Sequence, residues 1–187
     1  MSPKIFQFKI HLFDVKPVIW RRIQVLSTAT FADFHDIIQN SMGWRDCHLH
    51  EFFITKNTNV HRIGTSDEYD DFGEPTEDEM RVTLSKIFTQ EQQKIVYVYD
   101  FGDDWRHEII LEKILSADEK PYPRCIDGER ACPPEDSGGP WGYENLLEVL
   151  GDPKHEEHKN MMDWCGKIDP EAFSIEATNK LLQKYRT

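Results

Sequence analysis

The sequence predicts a single α+β domain, with a mainly antiparallel sheet packed by one helix from its N-terminal half and three C-terminal helices. Three observations carry this reading. Strand patterns crowd residues 4–115 and helical patterns crowd residues 143–185, with no βαβ alternation. The chain has 187 residues, 39% hydrophobic and 12% aromatic, enough for one buried core and too aromatic for disorder. No internal repeat and no Gly/Ser linker marks a boundary, so residues 1–187 form one domain.

Each element has its own signal. In residues 4–13, Phe6, Phe8, Ile10 and Leu12 alternate with Gln7, Lys9 and His11, the period of a half-buried strand. Pro17 breaks the chain before a second strand, Val18 to Val25. Thr30 opens an amphipathic helix with Asp33 as capping-box partner, a stripe of Phe31, Phe34, Ile38 and Met42, and Gly43 at its end. His48 to Ile54 reads as a strand with His48, His50, Phe52 and Ile54 on one face. Residues 56–80 are mostly loop, with a short strand near Val60 to Ile63.

Ile95 to Tyr99 is apolar on both faces, which suits a central strand. Phe101-Gly102-Asp103 turns the chain, and Trp105, His107, Ile109 and Leu111 return as one face of a hairpin partner. That gives a sheet of about five or six strands. Residues 118–141, rich in Pro, Gly and charge, read as an ordered irregular loop. Helices are expected over Tyr143 to Leu150, His155 to Cys165, and from a Ser174 cap to about Tyr185.

Charge excludes several classes of function. With 34 acids against 22 bases the chain carries −12, a field that repels phosphate backbones, so nucleic acid is not the expected partner. Residues 66–79 hold eight acids and no base, whereas residues 1–26 hold five bases against Asp14. The acidic run lacks the Asp-x-Asp-x-Asp-Gly register of a calcium loop and reads as a solvated surface loop. No apolar run approaches the ~18 residues of a transmembrane helix, and the start has no signal-peptide core. With Cys47, Cys125, Cys132 and Cys165 read as reduced thiols, the expectation is a cytoplasmic protein with no membrane partner.

Candidate chemistry concentrates in three places. His48 and His50 stand two apart on one strand face, and His107 lies beside Asp100, Asp103 and Asp104 across a predicted hairpin. Convergence of these histidines with a carboxylate would suit zinc, manganese or iron, against the plainer reading of core histidines bonded to carboxylates. No cofactor is otherwise implied. The DFGDDW turn is superficially similar to a kinase magnesium motif but lacks every companion of it, so its aspartates read as turn caps. In CPPEDSGG, two prolines stiffen a loop that presents Glu135 and Asp136. His155, His158, Met162 and Cys165 form a stripe on a helix whose Met161 and Trp164 suggest core packing. No GxSxG, P-loop or GxGxxG is present.

Four stretches, PVIWRRI from Pro17, GWRD with HLHEF from Gly43, YVYDFGDDWRH from Tyr97, and ACPPEDSGGPWGY from Ala131, occur in one order. Together they resemble the plasmid pRiA4b ORF-3-like family, bacterial and archaeal proteins found on chromosomes, plasmids and insertion elements, over about residues 4–182. The resemblance implies a single α+β domain and assigns no molecular function. Some members carry a resolvase-like label, but the nucleophilic Ser among arginines and the basic tail of a serine resolvase are not visible here. Ser137 stands where members often carry a Cys that clusters with the equivalents of Cys125 and Cys132.

These residues favour a non-enzymatic binding or regulatory module that recognises a protein or small ligand. Its rigid acidic and aromatic surface would comprise Asp100, Asp103, Trp105, Glu135, Asp136 and Trp141. The alternative is a metal-dependent hydrolase or nuclease built on His48, His50 and His107. The DFGDDW hairpin and the CPPEDSGG loop are expected to pack together, with Arg21 or Arg22 bonding a carboxylate from one of them.

Overall fold

The structure, a computed structural model, describes residues 4–65 and 76–185. Its strands are β1 (Lys4–Leu12), β2 (Trp20–Leu26), β3 (His50–Lys56), β4 (Asn59–Gly64), β5 (Thr76–Asp78), β6 (Lys94–Tyr99), β7 (Trp105–Ser116) and β8 (Arg124–Glu129). They form one sheet in the order β5-β4-β3-β6-β7-β1-β2-β8. Every neighbouring pair is antiparallel except β4 and β5. The helices are α1 (Phe31–Met42), a single turn α2 (Leu84–Ile87), α3 (Gly139–Gly151), α4 (His158–Cys165) and α5 (Ile175–Leu181), followed by a 3-10 turn over Leu182–Tyr185.

The patterned segments fold as their residues dictate. Thr30 and Asp33 exchange both capping-box bonds, and Gly43 closes α1 at φ 116°, in the region glycine favours. On α1, Phe31, Phe34, Ile38 and Met42 face the sheet, where Phe8 lies 4.8 Å from Phe34 and Phe31 4.9 Å from Phe52. Each such phenylalanine contributes ~1.5–3 kcal/mol through burial. β6 sits at the centre of the sheet, consistent with its apolar run. Both faces of β1 carry buried residues, because Ile5 and Gln7 are shielded as well as Phe6, Phe8, Ile10 and Leu12.

Two strands depart from the sequence reading. β8 lies inside the stretch read as irregular, because its residues are polar enough for a sheet edge while Cys125 alone is buried. Asn179 of α5 donates to the Cys125 carbonyl at 2.7 Å and accepts from its amide at 3.0 Å, much as another strand would. β5 lies at the opposite edge, where only three residues pair, too few for a period to show. Residues 66–75 of the acidic run lie outside the described residues, while Thr76–Asp78 are strand and Glu79 is buried, so that end is not a solvated loop.

The C-terminal helices also shift. α3 begins at Gly139, earlier than expected, because Pro140 in its first turn needs no amide partner there. α4 skims the surface: Met161 and Cys165 touch the core, but Trp164 is 50% exposed, so the helix is not core-facing as its aromatics suggested.

The arginines of β2 divide the work between the two sheet faces. Arg21 is buried and donates to the carbonyls of Ser41 at 2.8 Å, Trp20 at 2.8 Å and Glu129 at 2.9 Å. It also lies 4.3 Å over Phe173. Arg22 points to the polar face, holding Glu112 at 2.7 and 3.0 Å and Asp127 at 2.7 Å. Neither bonds the acidic turn or the CPPEDSGG loop. The expected arginine bridge is corrected: carbonyls of α1, β2 and β8 saturate Arg21 first, and Arg22 faces away.

Arg21→Ala is expected to lower stability by about 3 kcal/mol, since buried carbonyl acceptors lose a charged donor. Arg22→Ala, at a half-exposed pair, is expected to cost about 1 kcal/mol. Urea unfolding midpoints of the two variants check the difference.

Candidate functional site

The β6–β7 turn and the CPPEDSGG loop meet as expected. Asp103 accepts a bond from the Gly138 amide at 2.9 Å. Gly139, at φ 69°, passes so close that a Cβ there would overlap the Asp103 carbonyl oxygen. Within the turn, Asp100 Oδ1 accepts from the amides of Gly102 at 2.9 Å and Asp103 at 3.3 Å, the Asx capping its position predicts. Glu135 reaches back to accept from the Arg45 amide at 2.8 Å and from the Tyr99 hydroxyl at 3.1 Å. Burial, reinforced by that carboxylate, pushes the Tyr99 phenol well above its usual range.

This joint gathers residues that the sequence assigned to different sites. His48 Nε2 lies 3.0 Å from Asp136 Oδ1 and 3.6 Å from Asp100 Oδ2. The three histidines singled out in the sequence do not converge. His48 joins Asp100 and Asp136, His50 joins His35 and Asp46, and His107 belongs to neither group. The split arises because β3 begins only at His50: His50 is buried in the strand beside α1, while His48 lies outside the pleat and meets the loop at Asp136.

His50 belongs to a buried network that sequence reasoning missed. The Gln39 amide donates to the Tyr97 hydroxyl at 2.9 Å, and that hydroxyl lies 2.8 Å from His35 Nδ1. His35 Nε2 meets Asp46 at 2.9 Å. With Gln39 donating, the consistent assignment runs hydroxyl to Nδ1 and Nε2–H to Asp46, a neutral imidazole. Burial and the neighbouring His50 pull His35 down to about 4. His50 stacks on it with ring centroids 3.3 Å apart and bonds Glu79 at 2.7 Å. His35 shares α1 with an apolar stripe, and only the sheet beneath it reveals a polar role.

His107 is wholly buried beside Trp44 and Tyr97, with Nδ1 3.3 Å from the Tyr97 carbonyl. Burial pulls it down to about 3. Trp105 is 1% exposed, so it cannot present a ring to a ligand; its alternation with His107 places it in the core. Trp141 is the opposite case, 84% exposed at the first turn of α3. It borders a groove of about 800 Å³ lined by Val15, Lys16, Asp103, Arg106, Trp141 and Glu144, among others.

The profile of plasmid pRiA4b ORF-3-like proteins matches residues 4–177. The chain belongs to this family. A family relative, the uncharacterized protein y4hQ of Sinorhizobium fredii (strain NBRC 101917 / NGR234), is 35% identical over 170 residues, covering 90% of this chain and 84% of that one. A crystal structure of the protein of unknown function MM3350 from Methanosarcina mazei Go1 superposes with a TM-score of 0.84 at 42% identity. That match covers 94% of this chain and 98% of the other. The pRiA4b ORF-3-like fold is thus an α+β domain, as expected. Among the described residues, no helix is long and apolar enough to cross a membrane.

Two of the depressed histidines, His35 and His107, set an acid limit. Both are neutral when folded and titrate near 6.5 when unfolded, so the unfolded chain binds more protons below that value. Stability is therefore expected to fall between pH 6.5 and 4, by about 1.4 kcal/mol per pH unit for each histidine. Above pH 6.5 they contribute no pH dependence. His35→Asn should lower the slope of stability against pH in this range by about 1.4 kcal/mol per pH unit, measured by urea unfolding at several pH values. An unchanged slope would contradict the network.

Proposed function

We propose that this pRiA4b ORF-3-like chain is a non-enzymatic binding module. Its ligand is a protein segment or small molecule that places a cationic group beside an apolar one. The observation that carries this reading is Trp141, a nearly fully exposed indole held on a rigid element at the rim of an 800 Å³ groove. The double glycine and Pro140 fix the start of α3, so the ring is presented without the entropy cost of ordering a loop. Asp14, Asp103, Asp104 and Glu144 line the same groove against Lys16 and Arg106, and the whole chain carries −12. An indole face and an acidic rim together suit a guanidinium or ammonium. Four free thiols fit a cytoplasmic setting.

A metal-dependent hydrolase or nuclease is the second reading, and the approach of His48 to Asp100 and Asp136 favours it. It has to be drawn without His50 and His107, which the fold commits elsewhere.

Fluorescence polarisation against labelled peptides tests the binding reading. Arg/Leu-rich peptides are expected to bind, more weakly at high salt, and Glu/Leu-rich peptides are not. Trp141→Ala should weaken binding by tenfold or more, as loss of an aromatic anchor does. Equal binding by wild type and Trp141→Ala, or by both peptide classes, would overturn it.

A further inference from the structure

We propose that His48, Asp100 and Asp136 form a site for one divalent transition-metal ion, of the manganese, iron or zinc class, that ties the β6–β7 turn to the CPPEDSGG loop. The inference is independent of the peptide groove.

The first support is the orientation of His48. Its Nε2 is shielded from solvent and makes no hydrogen bond, although Asp136 Oδ1 lies only 3.0 Å away. A simple ion pair would align the N–H with that oxygen, and this one does not. Two donors about 2.1 Å from a shared ion, at the angles of a tetrahedral or octahedral sphere, lie about 3.0–3.4 Å apart. The nitrogen and oxygen are spaced as neighbours in one coordination sphere.

The second support is how Asp100 is held. Its Oδ1 is occupied by two backbone amides, which fixes the carboxylate and leaves Oδ2 facing His48. This is how a ligand is oriented by groups behind it. Charge supplies the third. Among the described residues, no lysine or arginine comes within ion-pair distance of Asp100 or Asp136; each has His48 alone. Two carboxylates converging on one imidazole therefore gain from a divalent cation.

The donor set chooses the ion. One imidazole with two carboxylates suits manganese, iron or zinc better than calcium or magnesium, which prefer oxygen alone. Asp136 has a 69% exposed side chain, so water can complete the sphere. The second histidine group, His35, Asp46 and His50, is a weaker candidate because both ring nitrogens of His35 and Nε2 of His50 are already bonded to Tyr97, Asp46 and Glu79.

The test is titration of the full chain, without a His-tag and stripped by chelator, with manganese followed by the EPR signal of the free ion. Manganese avoids capture by the thiols, which prefer softer metals. One equivalent is expected, displaced by zinc. Asp136→Asn removes the charge at a residue with φ 58°, a conformation asparagine tolerates, so the variant should fold. It and His48→Gln are each expected to weaken uptake at least tenfold, whereas Asp46→Asn and Trp141→Ala leave it unchanged. No saturable uptake, uptake that survives both Asp136→Asn and His48→Gln, or uptake lost only in Asp46→Asn would overturn the assignment.

Discussion

The close passage of Gly139 beneath the Asp103 carbonyl is the constraint on which the functional end of the molecule depends. Positive φ at Gly138 and Gly139 lets the loop lie directly on the β6–β7 turn, and the Asp103 side chain takes the Gly138 amide. Any side chain at Gly139 would push the two apart. Once the loop is seated, Glu135 meets Tyr99, Asp136 meets His48, and α3 starts where Trp141 stands free. One backbone approach thus sets the positions of a carboxylate cluster and of an exposed indole on either side of the same loop.

A chain of rings links that region to the middle of the sheet. Trp44 stands 4.9 Å from Tyr99 and 5.1 Å from His107, and His107 lies 5.2 Å from Tyr97. Tyr97 in turn lies against the stacked pair of His35 and His50. The core on this side holds imidazoles and phenols where the other side holds Phe8, Phe34 and Phe88. Polar atoms in such a core need partners, which is why Gln39, Asp46 and Glu79 are drawn to it.

The elements with a strong period were legible in the sequence: β1, β6, β7 and α1 follow from alternation, an apolar run and a capping box. β5 was not, because three residues carry no period, nor was β8, whose edge position lets polar residues stand where alternation would be expected. The joining of the DFGDDW turn to the CPPEDSGG loop was expected, but on an arginine bridge; the Gly138 amide on Asp103 makes it instead. The arginine bridge was misread because linear order cannot tell that Arg21 points inward to carbonyls. His48 and Asp136 were both singled out, but as members of separate sites; only the fold brings residues so far apart in the chain together. His35 carried no signal, since a lone histidine on an amphipathic helix looks the same whether or not another ring stacks on it.

Both rims of the sheet carry features that blunt the addition of another strand. At one, β5 offers three residues, two of them acidic, next to a stretch of further acids in sequence. At the other, Asn179 spends its side-chain amide on both the donor and the acceptor of Cys125, imitating a neighbour that is not there. An eight-stranded sheet with open rims would invite edge-to-edge addition and fibre growth. Here a short anionic ribbon covers half of β4 at one rim, and one asparagine takes up the backbone of Cys125 at the other, so each edge offers less free backbone as a template.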